Sequence, residues 1–249
     1  MSDDTITGLP PETQNSFALS RATKPGETIR ALHRALCDSG QPFELDTGQV
    51  LAFSDRKESG FILLLTQGWV SLFSMNTGLR TGAAVEPAVI GLADGYDLYH
   101  GNNGAARHYI RAEMPCRGRR VPADIFFAEC SKLNLWCDIS RILAHELLTA
   151  SQAEAELVGH DAYGIIRSVL TELWLYPEEL RRRISVCIFI QEKTNLSRSR
   201  VMGVLSALKQ GGYIRIRAGR LTDLKNCQKN FNPAEFPVIQ RKQNRSADR

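Results

Sequence analysis

The chain has 249 residues, 43% of them hydrophobic and 23% charged, an ordinary balance for one large or two smaller globular domains that excludes fibrous and wholly disordered classes. The longest strongly apolar run, Phe61 to Leu65, is far too short to cross a bilayer, and the opening MSDDTITGLPPETQNSFALSR has neither a basic start nor an apolar stretch, so a cytoplasmic protein with no membrane partner is expected. The modest formal charge of +4 hides an asymmetry: from Arg181 onward 16 Lys and Arg face 4 Asp and Glu, a net of +12, while residues 1–180 carry 15 against 23, a net of −8.

In chain order, residues 1–24 are polar and broken by Pro10 and Pro11, and are expected to be a disordered arm. From Glu27 the apolar residues Ile29, Leu32 and Leu36 recur at helical spacing until Gly40. Between Phe43 and Phe127 the pattern changes to short strands separated by glycines, which predicts a β sandwich or barrel within a domain of residues 25–130, with a hairpin around Gln67 and Gly68. The segment GLADGYDLYHGNNGAAR, from Gly91 to Arg107, is denser in turn residues than a simple connection requires, which makes Gly91, Gly95, Gly104 and Arg107 a candidate ligand loop, with a plain loop the alternative.

Helical periodicity returns at Ala123. Leu135, Ile139, Ile142, Leu143, Leu147 and Ala150 form a stripe along one long helix over 131–157, which either packs on the β domain or forms the seam of a homodimer. Val158 and Gly159 interrupt it as an interdomain hinge, and Asp161 is placed to cap the next helix. The six cysteines, Cys37, Cys116, Cys130, Cys137, Cys187 and Cys227, show no CxxC and no zinc spacing, so no metal site and no structural disulfide is expected.

The stretch from Arg181 to Leu224 carries the most information. A short apolar helix from Ser185 to Lys193 is followed by Asn195, a residue that tolerates positive φ, and by Ser197, a good N-cap. Val201, Val204, Leu205 and Leu208 then keep one face of a second helix apolar until Gly211 and Gly212. Tyr213 to Leu224 reads as a basic hairpin turned at Ala218 and Gly219. A helix followed by a basic hairpin predicts a winged helix-turn-helix over 160–226, trailed by a basic polar tail over 227–249.

Arg198 and Arg200 lie in the first turn of the second helix, where positive charge opposes the helix dipole, and a polyanion relieves that opposition. Ser197, Arg198, Ser199 and Arg200 are therefore the candidate base-reading turn, and Arg215, Arg217 and Arg220 the candidate phosphate contacts, with double-stranded DNA as partner.

The order of parts over residues 27–226 resembles the cyclic AMP receptor protein/FNR superfamily of bacterial transcription regulators. FILLLTQGWVSLF, AVIGLADG, ELRRRISV and LSRSRVMGVLSALKQGGYI look closer to its divergent enterobacterial branch named inhibitor of hydrogen peroxide resistance. The resemblance implies an α+β chain: an N-terminal cyclic-nucleotide-binding-like β roll, a long connecting helix and a C-terminal winged helix-turn-helix, acting in the oxidative stress response. It also marks departures. Leu92 follows Gly91 where the superfamily has a loop Glu, and Ala106 with Arg107 stands near its Arg-Ser pair, so cyclic AMP is not an expected effector. Only Cys37 lies near the end where grouped cysteines would hold an FNR-type cluster, so no cofactor is expected. Gln191 stands where the superfamily has Ala or Gly between closely packed helices.

Two functions are consistent with these residues: a homodimeric transcription regulator, and an interaction protein that keeps the fold and acts through a protein partner. No nucleophile motif, paired carboxylates or other catalytic arrangement points to an enzyme.

Overall fold

The computed structural model describes residues 15–53, 60–101 and 105–225. The chain folds as two compact units, one spanning Thr23–Leu148 and the other joining Met1–Ala22 to Thr149–Arg249. The elements begin with helix α1 (Ser16–Thr23), which belongs to the second unit up to Ala22. This corrects the expected disordered arm: residues 16–23 are helical and Phe17 is buried, while residues 1–14 lie outside the described residues.

The first unit starts with α2 (Gly26–Leu36), which buries Ile29, Leu32 and Leu36. Eight strands follow: β1 (Gln41–Leu45), β2 (Val50–Ala52), β3 (Phe61–Gln67), β4 (Trp69–Ser74), β5 (Arg80–Val85), β6 (Ala88–Ile90), then helix α3 (Leu92–Tyr99), β7 (His108–Ala112) and β8 (Cys116–Pro122). They form two antiparallel four-stranded sheets in the orders β1-β8-β3-β6 and β2-β7-β4-β5.

Strand β3 is buried on both faces, which is why FILLL reads as an unbroken apolar run. Phe61, Leu63 and Leu65 join Val70, Ile110 and Ala112 in one core, and Ile62 and Leu64 join α2 and the helices after β8 in a second.

The turn expected at Gln67 and Gly68 exists, but the hairpin does not. Strand β3 pairs with β6 and β8, and β4 pairs with β5 and β7, so Gly68 carries the chain from one sheet to the other. Gly68 adopts φ +111°, and a Cβ there would lie 2.6 Å from Cys116 Sγ and 2.7 Å from the Pro115 carbonyl oxygen. Only glycine fits so close a crossing.

The expected long helix over 131–157 is present as one helix that starts a few residues later, after a separate shorter one. Helix α4 (Ala123–Lys132) ends before Asn134, which adopts φ 56°, and α5 (Trp136–Leu157) begins two residues later. The first half of α5 closes the first unit, with Ile139 and Ile142 in its core and Leu135 packed against them.

The second unit contains the end of α5, then α6 (Ala162–Leu175), α7 (Glu178–Arg181), α8 (Val186–Thr194), α9 (Arg198–Gln210) and the hairpin β9 (Ile214–Arg217) and β10 (Arg220–Leu224). The break at Val158 and Gly159 is present, with Gly159 at φ 77°, and Asp161 Oδ1 accepts from the Gly164 N–H at 2.8 Å as the expected cap. It lies inside this unit rather than between the two, because Glu156 is tied on both sides of it. Ser168 Oγ of α6 donates to Glu156 Oε2 at 2.9 Å, and the Ser16 backbone N–H of α1 donates to Oε1. Phe17 packs on Tyr176 with ring centroids 4.8 Å apart, and Tyr176 meets Phe189 of α8 edge-on at 5.6 Å.

Candidate nucleic-acid interface

Helix α8 supports the interface. Buried Val186, Phe189 and Ile190 anchor it, α6 packs on both α8 and α9, and the buried Glu172 carboxylate of α6 receives Lys193 Nζ and the Tyr176 hydroxyl, the latter at 3.0 Å. Helix α8 runs unbroken through Gln191, whose side chain is half-buried with Oε1 3.5 Å from Cys187 Sγ. Asn195 then takes the left-handed conformation at φ 54° and turns the chain sharply, which is what places α9 across α8.

Ser197 Oγ accepts from the Arg200 N–H at 3.3 Å, satisfying one of the free donors of the first turn of α9. Val201, Val204, Leu205, Ala207 and Leu208 are buried. Ser197, Arg198, Ser199, Arg200, Met202, Gly203, Ser206, Lys209 and Gln210 are exposed, and no acidic residue lies in the first turn.

At about 100° per residue, the outward direction opposite the buried face runs through Ser199 and Ser206, with Met202 and Gly203 beside it. Arg198 and Arg200 stand roughly a quarter-turn to either side of that line, as flanking posts rather than its centre. Sequence reasoning missed Met202 and Gly203, because a methionine next to Val201 and Val204 looks like part of the same apolar stripe.

The wing turns at Ala218 (φ 48°) and Gly219 (φ 76°), the two positive values of a tight hairpin turn whose twist suits the strands. The Val186 N–H donates to the Gly219 carbonyl at 3.0 Å, which ties this turn to the start of α8. Ile214 and Leu221 are buried, while Arg215 and Arg217 are exposed and Arg220 is half-buried. In register, Arg217 stands opposite Arg220 and Arg215 opposite Asp223. Arg181, by contrast, is structural: its Nη1 donates to the Trp174 and Tyr176 carbonyls at 2.9 and 3.3 Å.

The segment read as a ligand loop has a different organisation. Its first half is α3, and Gly104 lies outside the described residues. Cβ atoms at Gly91 and Gly95 would lie 2.4 Å from the Phe53 ring and 2.3 Å from Ile62 Cδ1, so these glycines let α3 approach the core closely. Arg107 Nε donates to Asp97 Oδ2 at 2.9 Å. Buried Asp94 accepts from the N–H groups of Arg107 and His108 at 2.6 and 3.0 Å and pairs with His108 Nδ1 at 2.8 Å. The hydrogen bond to Asp94 raises the His108 pKa above its usual value, outweighing the opposing effect of burial.

The stripe on α5 divides. Ile139 and Ile142 are buried in the core of the first unit, with Leu135 just before α5 partly buried against it, whereas Leu143, Leu147 and Ala150 are exposed, Leu147 by 72%. Cys116 and Cys130 are buried, and burial pushes the Cys130 thiol up to about 12. Among the described residues no group of His, Cys, Asp and Glu could hold a metal ion, and no helix is long and apolar enough to cross a membrane.

Residues 162–228 match the family described as winged helix-turn-helix DNA binding. The inhibitor of hydrogen peroxide resistance of Escherichia coli K12 is 29% identical over 213 residues, covering 86% of this chain and 98% of that protein. Its namesake from Salmonella typhimurium is 28% identical over 214 residues, with the same coverage. Among solved structures, the c-di-GMP responsive global regulator CLP of Xanthomonas campestris superposes with a TM-score of 0.63 at 17% identity, covering 79% of this chain and 99% of that one. A CRP/FNR family transcriptional regulator from Thermus thermophilus gives 0.56 at 18% identity, covering 74% and 94%. The chain therefore has the fold of the CRP/FNR transcription regulators, with a winged helix-turn-helix DNA-binding domain over residues 162–228.

Proposed function

We propose that this protein is a homodimeric transcription regulator that reads double-stranded DNA through α9 and grips its backbone through the wing. The observation that carries this reading is an exposed face of α9 with arginines on both flanks, next to a wing on which Arg217 and Arg220 face one another. Like charges directly opposed across a hairpin, and cations at a helix N-terminus, each cost stability that a polyanion returns. In this assignment Ser197 sets the start of α9, Arg198, Ser199 and Arg200 address base edges, and Arg215, Arg217 and Arg220 address phosphates.

Dimerisation is assigned to α5. Leu143, Leu147 and Ala150 follow the four-then-three spacing of a coiled-coil seam, and Leu157 takes the position after Glu154, which interrupts it. Exposures of 42% for Leu143, 72% for Leu147 and 38% for Leu157 support this, since they leave apolar surface that the described residues do not cover. A two-fold dimer also suits the paired half-sites that helix-turn-helix modules read.

The nucleotide site of the superfamily is degenerate in this proposal, because Arg107 is engaged by Asp97 and the glycines of α3 serve core packing. The signal is assigned to hydrogen peroxide stress on the strength of the names of the two relatives. The domain reading is a β-roll sensor-like region over 25–130, a dimerisation helix within 131–157 and the DNA-binding region over 160–226.

Selection from a random duplex library with the full chain tests the reading. An enriched motif with two-fold symmetry is expected, and it should be lost in the double variant Arg198→Ala, Arg200→Ala. Enrichment of no sequence would leave the interaction-protein reading in its place.

A further inference from the structure

We infer that Met202 is a specificity residue for DNA, reading the C5-methyl group of a thymine in the major groove. This rests on the DNA-binding reading above and deepens it.

Met202 is 48% exposed on α9, while its neighbours Val201, Val204 and Leu205 are buried in the unit's core. Its side chain thus stands apart from the packing stripe. Arg198, Met202 and Ser206 fall at successive four-residue steps, so they form one row along the exposed face. Beside that row a Cβ added at Gly203 would meet nothing within 4 Å, and Ser199 is small and exposed. Between Arg198 at its start and Gln210 at its end, the face is therefore low except where Met202 rises from it.

The occupant follows from charge. Arg198 and Arg200 at one end of α9, Lys209 at the other, and Arg215 and Arg217 on the adjoining wing are all exposed cations. An uncharged protein surface would gain little from such a frame. In a polyanionic duplex, however, the thymine methyl is the one apolar group on the major-groove floor, and apolar side chains contact it there. The low shoulders at Ser199, Gly203 and Ser206 let the helix sink far enough for a flexible thioether to reach that methyl. Residues four apart on a helix are separated by about 6 Å along its axis, which is close to two base-pair steps at roughly 3.4 Å each. The methyl-reading position should then lie within about two base pairs of the base that depends on Arg198.

The test uses the operator selected with the wild-type chain. Each thymine of a half-site is replaced singly by deoxyuridine, which removes only the methyl, and binding is measured for wild type, Met202→Ala and Met202→Leu. Wild type should lose about four-fold at one position, the effect of one buried methyl group. Met202→Ala should lose affinity for the thymine operator and become indifferent to deoxyuridine at that position, and Met202→Leu should restore the discrimination. Met202→Ala leaves the buried face of α9 intact, and an unchanged melting temperature checks this. The inference is overturned if no position discriminates in wild type, or if Met202→Ala keeps the full thymine-to-deoxyuridine ratio while still binding the operator. Failure to select any operator instead overturns the DNA-binding reading, and the role of Met202 with it.

Discussion

Arg217 stands directly across the wing hairpin from Arg220, whereas Arg215, two residues earlier, stands across from Asp223. Three arginines that look equivalent in sequence are therefore unequal electrostatically. Each phosphate contact contributes about one unit to the slope of log affinity against log salt. Arg217→Ala and Arg220→Ala should each flatten that slope by about one. Arg215→Ala should flatten it less, because Asp223 already offsets part of its charge. A salt titration on random duplex reads all three, and equal slopes for the three variants would contradict the assignment.

Arg198 and Arg200 should fail in another way. Loss of a base contact costs about 1–3 kcal/mol and relaxes sequence choice, whereas loss of a phosphate contact weakens every sequence alike. Arg198→Ala and Arg200→Ala are expected to lower the ratio of operator to random binding while Arg217→Ala leaves it unchanged. Competition assays at fixed salt measure that ratio, and a preserved ratio in both helix variants would remove them from the base-reading set.

On α5 the division of the apolar stripe separates assembly from folding. Leu147→Asp should convert a dimer of twice the 27.8 kDa chain mass to a monomer with little change in melting temperature, since Leu147 is 72% exposed. Ile139→Asp buries a charge in the first unit's core and should unfold it. Light scattering beside a melting curve distinguishes the two. A Leu147→Asp chain that keeps the dimer mass would place the seam elsewhere.

His108 links the first unit to pH. Its pKa is raised above 6.5, chiefly by the hydrogen bond to Asp94, so the folded state favours the protonated ring. The stability this pair contributes is fully present below about pH 6.5 and is lost as pH rises through the higher folded-state value. Wild type should therefore lose stability relative to His108→Gln as the pH rises above 6.5 and through the raised folded-state value. Parallel melting curves that keep a constant separation across that range would exclude the pair as a contributor.

The helix-turn-helix was legible in the sequence because its punctuation is local. Asn195, the Ser197 cap, the Asp161 cap and Gly219 of the wing turn each act within a few residues, and each stands where the residue type requires. What the sequence could not carry was the identity of distant partners. The turn at Gly68 was plain, yet which strands pair on either side depends on β6, β7 and β8, far along the chain. Glycines at 91 and 95 signalled a loop, whereas their use is the fit of a helix against Phe53 and Ile62. Periodicity on α5 counted apolar positions without saying that Ile139 and Ile142 are satisfied inside the unit and Leu147 is not. Helix α1 was hidden for the same reason, since Phe17 among polar residues has meaning only once Tyr176 is beside it.

The second unit is assembled from two separate stretches of chain, with the Ser16 N–H bound to Glu156, while the first is one unbroken stretch from Thr23 to Leu148. During synthesis the first unit can close as soon as it leaves the ribosome. Residues 16–22 emerge earlier still, yet their binding partners on α5 and α6 do not exist until more than a hundred residues later. The N-terminal helix must return across that long interval, a closure of high sequence separation and hence a slow one. The second unit is thus completed after the first, although it holds the first described helix to be made.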